Sequence, residues 1–227
     1  MSKYELIVIG GGPAGIAAAA RAASLQKRAL VIEKENWGGT CTQRGCIPTK
    51  ALLSCSKYYA DLKKLKRAGI DITGASFDFS AMKRHQQQIV KIAALGAQKM
   101  AADAGADTRT GTAEITAPGE VKIVNSSGAA ELFSTKNIII AWGSQPSILP
   151  GIKLSSRVLT SDGALALNSL PGSVIIIGAS FIGIEFATFF AELGVKVTLL
   201  ELLEHILPGE DTEAAGFLQQ ELTRSGM

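Results

Sequence analysis

Two stretches of this chain repeat one plan. Each has an apolar, β-branched run, a glycine turn, a helix rich in small or apolar residues, a second apolar run and a closing acid. The first copy is Tyr4-Glu5-Leu6-Ile7-Val8-Ile9, then Gly10-Gly11-Gly12-Pro13-Ala14-Gly15, a helix from Pro13 to Ser24, the run Ala29-Leu30-Val31-Ile32, and Glu33. The second is Ser173-Val174-Ile175-Ile176-Ile177, then Gly178-Ala179-Ser180-Phe181-Ile182-Gly183, a helix to Leu193-Gly194, Lys196-Val197-Thr198-Leu199-Leu200, and Glu201. In both copies the acid stands 23 residues beyond the first glycine. Short continuous apolar runs predict strands buried on both faces of a parallel sheet. The repeat therefore predicts an α/β fold with two Rossmann-like dinucleotide-binding units.

Each part of the plan has a physical purpose. Gly10 makes the turn, Gly12 lets the backbone approach a pyrophosphate, and Gly15 lets helix pack on strand. The helix N-terminus, at Pro13 and Ala14, stabilises phosphate charge. Glu33 accepts hydrogen bonds from a ribose hydroxyl. In the second copy Ser180 stands where the second glycine is expected. Its side chain either crowds the pyrophosphate or donates its hydroxyl to a phosphate. A Rossmann-like second unit that binds nothing stays open as an alternative. Glu201 favours NAD over NADP, because a carboxylate accepts from a free ribose hydroxyl whereas a 2′-phosphate needs a cation, and no arginine lies beside it.

Between the copies lies Gly38-Gly39-Thr40-Cys41-Thr42-Gln43-Arg44-Gly45-Cys46-Ile47-Pro48-Thr49-Lys50. Gly45 gives the turn its freedom, and Pro48 suits the first turn of a helix running through Leu53. Cys46 then lies at or just before a helix N-terminus, where the dipole favours a thiolate. Redox chemistry is one reading of the pair. A metal site is another, though four ligands are usual and the chain has three cysteines and two histidines. A structural disulfide, which restricts so short a loop little, and two unrelated buried thiols are the others.

The intervening sequence reads as scaffold. Ser54 to Arg67, with Lys57, Lys63, Lys64, Lys66 and Arg67, predicts a solvated helix face, and Cys55 a packed thiol. Phe77 to Asp103 predicts a long helix in which His85 is structural or exposed. Thr108 to Thr135 alternates β-rich pieces with Gly and Ser turns and predicts a small antiparallel meander. Asn137-Ile138-Ile139-Ile140-Ala141 returns to a buried strand ending in the loop Trp142-Gly143-Ser144-Gln145-Pro146, where ligands meet α/β sheets. Pro146 and Pro150-Gly151 mark a linker, so the boundary is placed at 147/148. Ser161-Asp162-Gly163 predicts a capped short helix.

Composition excludes several classes. The net charge of +3 and the lack of a basic tract with interleaved aromatics give no footprint for nucleic acid. Glu5 and the glycine turn interrupt the only signal-like stretch, and no apolar run is long enough to span a membrane. Three cysteines are too few for a secreted disulfide scaffold, and a close pair fits catalysis in a reducing cytoplasm.

In this order the elements resemble the FAD-dependent pyridine nucleotide–disulfide oxidoreductases along the whole chain, most specifically from Gly38 to Lys50. The resemblance implies an FAD-binding domain over 1–147 and an incomplete NAD-binding domain over 148–227. FAD would meet Gly10, Gly12, Pro13, Ala14 and Gly15 at its pyrophosphate, and Glu33 with Lys34 beside its ribose. Gly39 and Thr40 would line the cofactor, with Ala113 near the adenine and Gly143 and Ser144 in the strand-end loop. Cys46 would be the thiol nearest the flavin and Cys41 the one that exchanges with a dithiol substrate. Lys50, paired with Glu185, would stabilise charge on reduced flavin. Gly178, Ser180, Phe181, Ile182, Gly183 and Glu201 would bind NAD, with Phe181 as an aromatic gate. Trp142 replaces a common threonine, and Gln43-Arg44 is unusual between the cysteines. Relatives are about twice as long, are homodimers, and carry a histidine–glutamate pair that neither His85 nor His205 matches. Three functional readings follow: electron transfer between a dithiol and NAD, another disulfide or mercuric-type reductase, or a non-catalytic FAD-binding fragment.

Overall fold

The computed structural model describes residues 2–65 and 68–227. Lys66 and Arg67 of the expected basic helix face lie outside the described residues, as does the Lys63 side chain.

The chain forms two compact units. The first holds residues up to Pro48 together with Gln88–Lys153; the second holds Thr49–Gln87 and Leu154–Met227. The sequence boundary at 147/148 falls near one of these junctions. Packing additionally groups the helical stretch 49–87 with the later part of the chain.

In the first unit, β1 (Ser2–Ile9) leads through the glycine turn into α1 (Pro13–Ser24) and β2 (Ala29–Glu33). Then come the six-residue α2 (Gly39–Arg44) and the start of α3 (Cys46–Leu65). α4 (Phe79–Asp103) is followed by β3 (Asp107–Thr110), β4 (Thr112–Ala117), β5 (Glu120–Val124) and β6 (Ala130–Ile140). The six strands form one sheet in the order β3-β2-β1-β6-β5-β4. β1 pairs in parallel with both β2 and β6, and β2 with β3. β4-β5-β6 is antiparallel.

The expected meander is thus present, with two differences. Thr108–Thr110 lies in β3, a parallel partner of β2. The end of the expected meander and the expected strand from Asn137 are one strand, β6. β6 pairs with β5 near its start and with β1 along its length, so the meander and the parallel layer share a strand.

Burial follows the pattern of a covered parallel sheet. Val8 and Val31 point to one face, where Ile16, Ala19 and Ala22 of α1 and Ala101 of α4 cover them. Ile7, Ile9, Leu30 and Ile32 point to the other, against Val121, Ile123 and Phe133 of β5 and β6. The small residues of α1 let the helix lie close to the strands.

In the second unit, α5 (Ser161–Leu165), β7 (Ser173–Ile177), α6 (Phe181–Glu192), β8 (Lys196–Leu200) and α7 (Thr212–Arg224) follow the long connection. β7 and β8 form a parallel two-stranded sheet. Phe186, Phe189 and Phe190 of α6 pack with Leu52 of α3, Leu165 and Val197. The cap of α5 is Thr160, one residue before the expected Ser161. Its side chain accepts from Gly163 N–H at 3.5 Å, a distance that makes a weak cap. No described helix is long and apolar enough to cross a membrane.

Candidate active site

The glycine turn meets two other loops at the carboxyl ends of β2, β1 and β6. Gly10 adopts φ +116°, and a Cβ there would lie 2.2 Å from the Ala141 carbonyl oxygen. A Cβ on Gly15 would lie 1.9 Å from the Gly10 carbonyl oxygen, so the third glycine is where helix and turn touch. Gly12 differs. Its nearest neighbour would be Gly39 Cα, at an ordinary 3.5 Å, and its φ of −81° suits any residue. The protein's own packing does not demand a glycine there.

The segment Gly38–Thr40 closes on this turn. Gly38 N–H donates to the Gly11 carbonyl at 2.9 Å. A Cβ on Gly39 would come within 2.8 Å of Gly12 Cα. On the third side, Thr40 Oγ1 lies 3.0 Å from the Cβ position of Gly143, which has φ +80°. Trp37 packs beneath Gly11, and its Nε1 is a buried donor with no partner among the described residues. Gln43 donates its side-chain N–H to the Trp37 carbonyl at 2.8 Å, tying the inter-cysteine segment to the start of α2. Of these residues Trp37 was not read from the sequence; the doubled glycine that follows it at 38–39 was the available signal.

Glu33 ends β2 beneath the turn, its carboxylate accepting from Gly11 N–H at 2.8 Å and Glu35 N–H at 2.8 Å. Gly111 N–H donates to the Glu33 carbonyl at 2.9 Å, so β4 and Ala113 begin beside the end of β2. Lys34 is paired with Glu35 at 3.7 Å on an exposed face. Ser144 is exposed beyond Gly143, and the Trp142 ring is 70% exposed and takes no part in the core.

Cys41 lies in α2, a short helix where the sequence suggested only a loop, and Cys46 is the first residue of α3. Gly45 joins them. A Cβ there would meet Thr40 O at 3.0 Å and Cys41 Cα at 3.3 Å, so the chain folds back tightly over Cys41 just before Cys46. Cys46 is exposed. Cys55 is partly buried, and desolvation raises its pKa, which favours the protonated thiol.

One helical turn past Cys46, Lys50 Nζ lies 2.5 Å from Glu185 Oε1 on α6. This is the pairing the resemblance implied. Farther along α3, buried Ser56 donates to Glu192 Oε2 at 2.5 Å.

The second turn repeats the first. Gly178 has φ +100°, and a Cβ on Gly183 would lie 1.9 Å from the Gly178 carbonyl oxygen. Ser180 has φ −76° and ψ 177°, matching the −81° and −178° of Gly12, so the serine is accommodated without backbone strain. Glu201 accepts from Ala179 N–H at 2.7 Å and from Leu202 and Leu203 N–H at 2.8 and 3.1 Å. These bonds hold its carboxyl below the usual value, Ala179 contributing most. Phe181 and Ile182 open α6 with exposed side chains. Among the described residues no cluster of three or more His, Cys, Asp or Glu side chains could hold a metal.

Two glycine turns with acids, uncapped helix N-termini and a cysteine pair beside the first turn define a nucleotide-dependent thiol oxidoreductase. The model of the pyridine nucleotide-disulphide oxidoreductase family matches residues 4–227, and the chain belongs to that family, which is FAD-dependent. Dihydrolipoyl dehydrogenase from Bacillus subtilis is 36% identical, covering 100% of this chain and 50% of that protein. The enzyme of the same name from Geobacillus stearothermophilus is 37% identical, covering 99% and 48%. Among solved structures, a mutant of the HOCl-induced flavoprotein disulfide reductase RclA from Escherichia coli, a Cu(II) complex, matches with TM-score 0.81. It is 30% identical, with 100% of this chain and 48% of that one covered. LpdA from Mycobacterium tuberculosis shares the fold at TM-score 0.88 and 24% identity, covering 100% and 50%. The chain spans about half the length of the relatives it matches.

The first unit fits FAD on its own geometry. Among the described residues the place of a Gly12 side chain is left open, no side chain caps α1, and the Trp37 donor beneath the turn has no partner.

Proposed function

We propose that this chain supplies the FAD- and NAD-binding part of an oxidoreductase acting between a dithiol substrate, dihydrolipoamide foremost, and NAD. FAD, when bound, is the two-electron carrier between the thiols and the nicotinamide. Residues 1–147 serve as its FAD-binding domain and 148–227 as the beginning of its NAD-binding domain. The observation that carries this reading is Gly45 folding the chain tightly over Cys41 immediately before Cys46, within the loop that borders the first glycine turn.

A substrate thiolate attacks the Cys41 sulfur of a Cys41–Cys46 disulfide, forming a mixed disulfide and releasing Cys46 as thiolate. The second substrate thiol then displaces Cys41. The substrate leaves as a disulfide and the enzyme pair is left as two thiols, a balanced two-electron exchange. Cys46, at the start of α3, is placed where helix N–H groups stabilise its anion. Lys50, held by Glu185, offers a fixed positive charge one turn away. Gly10, Gly12, Pro13, Ala14, Gly15, Glu33, Lys34, Gly39, Thr40, Ala113, Gly143 and Ser144 form the FAD cradle. Gly178, Ser180, Phe181, Ile182, Gly183 and Glu201 form the NAD site. A homodimer working in the cytoplasm, in association with a lipoyl-bearing complex, completes the reading.

The likeness to the RclA structure supports a second reading, a disulfide reductase running in the opposite direction. The test is reduction of the purified, FAD-loaded protein by NADH. A long-wavelength absorbance band should form, and Cys46→Ser should abolish it; Cys41→Ser, which leaves the Cys46 thiol in place, should show the band before any NADH is added. A band that persists in Cys46→Ser contradicts the assignment. Comparing NADH-driven disulfide reduction with dihydrolipoamide-driven NAD reduction separates the two readings. Bound FAD without turnover in either direction marks a non-catalytic binding chain.

A further inference from the structure

The two closing acids share an arrangement that their sequence motif does not disclose. Glu33 Oε2 accepts from Gly11 N–H at 2.8 Å, and Glu201 Oε2 accepts from Ala179 N–H at 2.7 Å. The separation along the chain is 22 residues in both. The other oxygen of each carboxylate accepts from backbone just past its own strand: Glu35 in one unit, Leu202 and Leu203 in the other. The middle turn residue is glycine in one unit and alanine in the other, so the bond follows from the course of the backbone.

The helices behind these turns differ from α5 and α7. α5 and α7 are capped by Thr160 and Asp211, whose side chains accept helix N–H groups. α1 and α6 have no side-chain cap, although Ser180, a residue type that commonly provides one, stands at the cap position just before α6. Their N-termini are left for a ligand, and something else must hold the turn in shape.

Resting on the dinucleotide reading above, we propose that Glu33 and Glu201 are positioning residues for the glycine turns as well as ribose acceptors. Each ties the middle N–H of its turn to the end of the neighbouring strand and so aims the uncapped helix N-terminus at the pyrophosphate. A carboxylate oxygen has two acceptor directions, so the bond to the turn leaves capacity for a ribose hydroxyl. Such charge-assisted bonds are among the stronger ones. Removing the acid therefore weakens binding even of a dinucleotide whose ribose offers nothing to accept.

The first arm of the test needs no cofactor. Amide hydrogen exchange is followed residue by residue by NMR in the nucleotide-free chain, with the β5 and β6 amides as the control for folding. Exchange at Gly11 should rise roughly tenfold to a hundredfold in Glu33→Ala, the range implied by a hydrogen bond to a charged group. Glu33→Gln, which keeps one acceptor oxygen, should retain most of the protection. Ala179 should behave likewise in Glu201→Ala and Glu201→Gln. In the second arm, FAD and an analogue lacking both adenosine ribose hydroxyls are titrated by flavin fluorescence. Glu33→Ala should weaken both ligands by tenfold or more. Unchanged Gly11 exchange in Glu33→Ala, or an analogue affinity indifferent to it, overturns the positioning role. A wild-type chain that takes up no FAD, while Gly11 exchange still depends on Glu33, refutes the dinucleotide reading and keeps the turn role.

Discussion

Gly12 and Gly15 lie three residues apart and answer to different partners. A methyl group on Gly15 would have to displace the Gly10 carbonyl oxygen, 1.9 Å away, so Gly15→Ala should cost about 1–3 kcal/mol or more of stability. A methyl group on Gly12 meets only Gly39 Cα at 3.5 Å. Gly12→Ala should therefore melt within a few degrees of wild type yet bind FAD at least about tenfold more weakly, which is about 1.4 kcal/mol. Calorimetry and flavin titration of the two variants check the contrast; a large loss of stability in Gly12→Ala would contradict it. Ser180 already carries a side chain at the equivalent backbone position, so the fold tolerates one there. Glu201 adds a pH signature. Its folded pKa is lowered, chiefly by the Ala179 N–H, so its contribution to stability is fully present above the ordinary value of 4.5 and is lost as pH falls through the lowered value. Glu201→Gln should thus show a shallower loss of thermal stability on acidification below pH 4.5 than the parent, measured by melts across that range.

α3 and α6 are joined in the second unit by more than apolar packing. Ser56 is fully buried and donates to Glu192, so Ser56→Ala leaves a carboxylate short of a partner and should cost about 1–3 kcal/mol in chemical denaturation. The Lys50–Glu185 pair is more exposed, and breaking it should change stability by less than about 1 kcal/mol. The bounds of α1 and of the strands of both repeats were legible because each apolar run is bracketed by a glycine turn and an acid. Where β6 begins was not. The expected meander ended at Thr135 and a separate strand began at Asn137, and pairing with β1 on one side and β5 on the other makes the two one strand. The short α2 was missed because Gly38 starts it in a left-handed conformation and Gly45 ends it within six residues, too brief for a helical period. The acid-to-turn bonds were invisible for a simpler reason: a spacing names the residue and not the oxygen's partner.

The duplication extends from sequence to bond length. Two units with different side chains in their turns reproduce the same close glycine contact and the same tether to an acid. Their sheets differ more. The first unit buries β1 and β2 on both faces but leaves Ile139 and Ile140 of β6, expected in a buried strand, 39% and 51% exposed; β7 presents Ile175 and Ile177 at 66% and 59% exposure, and Leu202 stands 97% exposed beyond β8. Parallel strands are ordinarily buried on both faces, and exposed apolar strand residues invite association. Replacing Ile175 and Ile177 together with threonine should therefore reduce self-association and binding of a hydrophobic dye, with at most a small change in melting temperature. A large drop in melting temperature would show that these side chains support the fold.

Cys46 and Lys50 belong to one uninterrupted helix, and this fixes more than their order. Four residues of helix advance about 6 Å along its axis. Thiol and amine thus branch from consecutive turns of the same backbone element. Adjusting the thiol independently of the cation requires changing the side chains themselves.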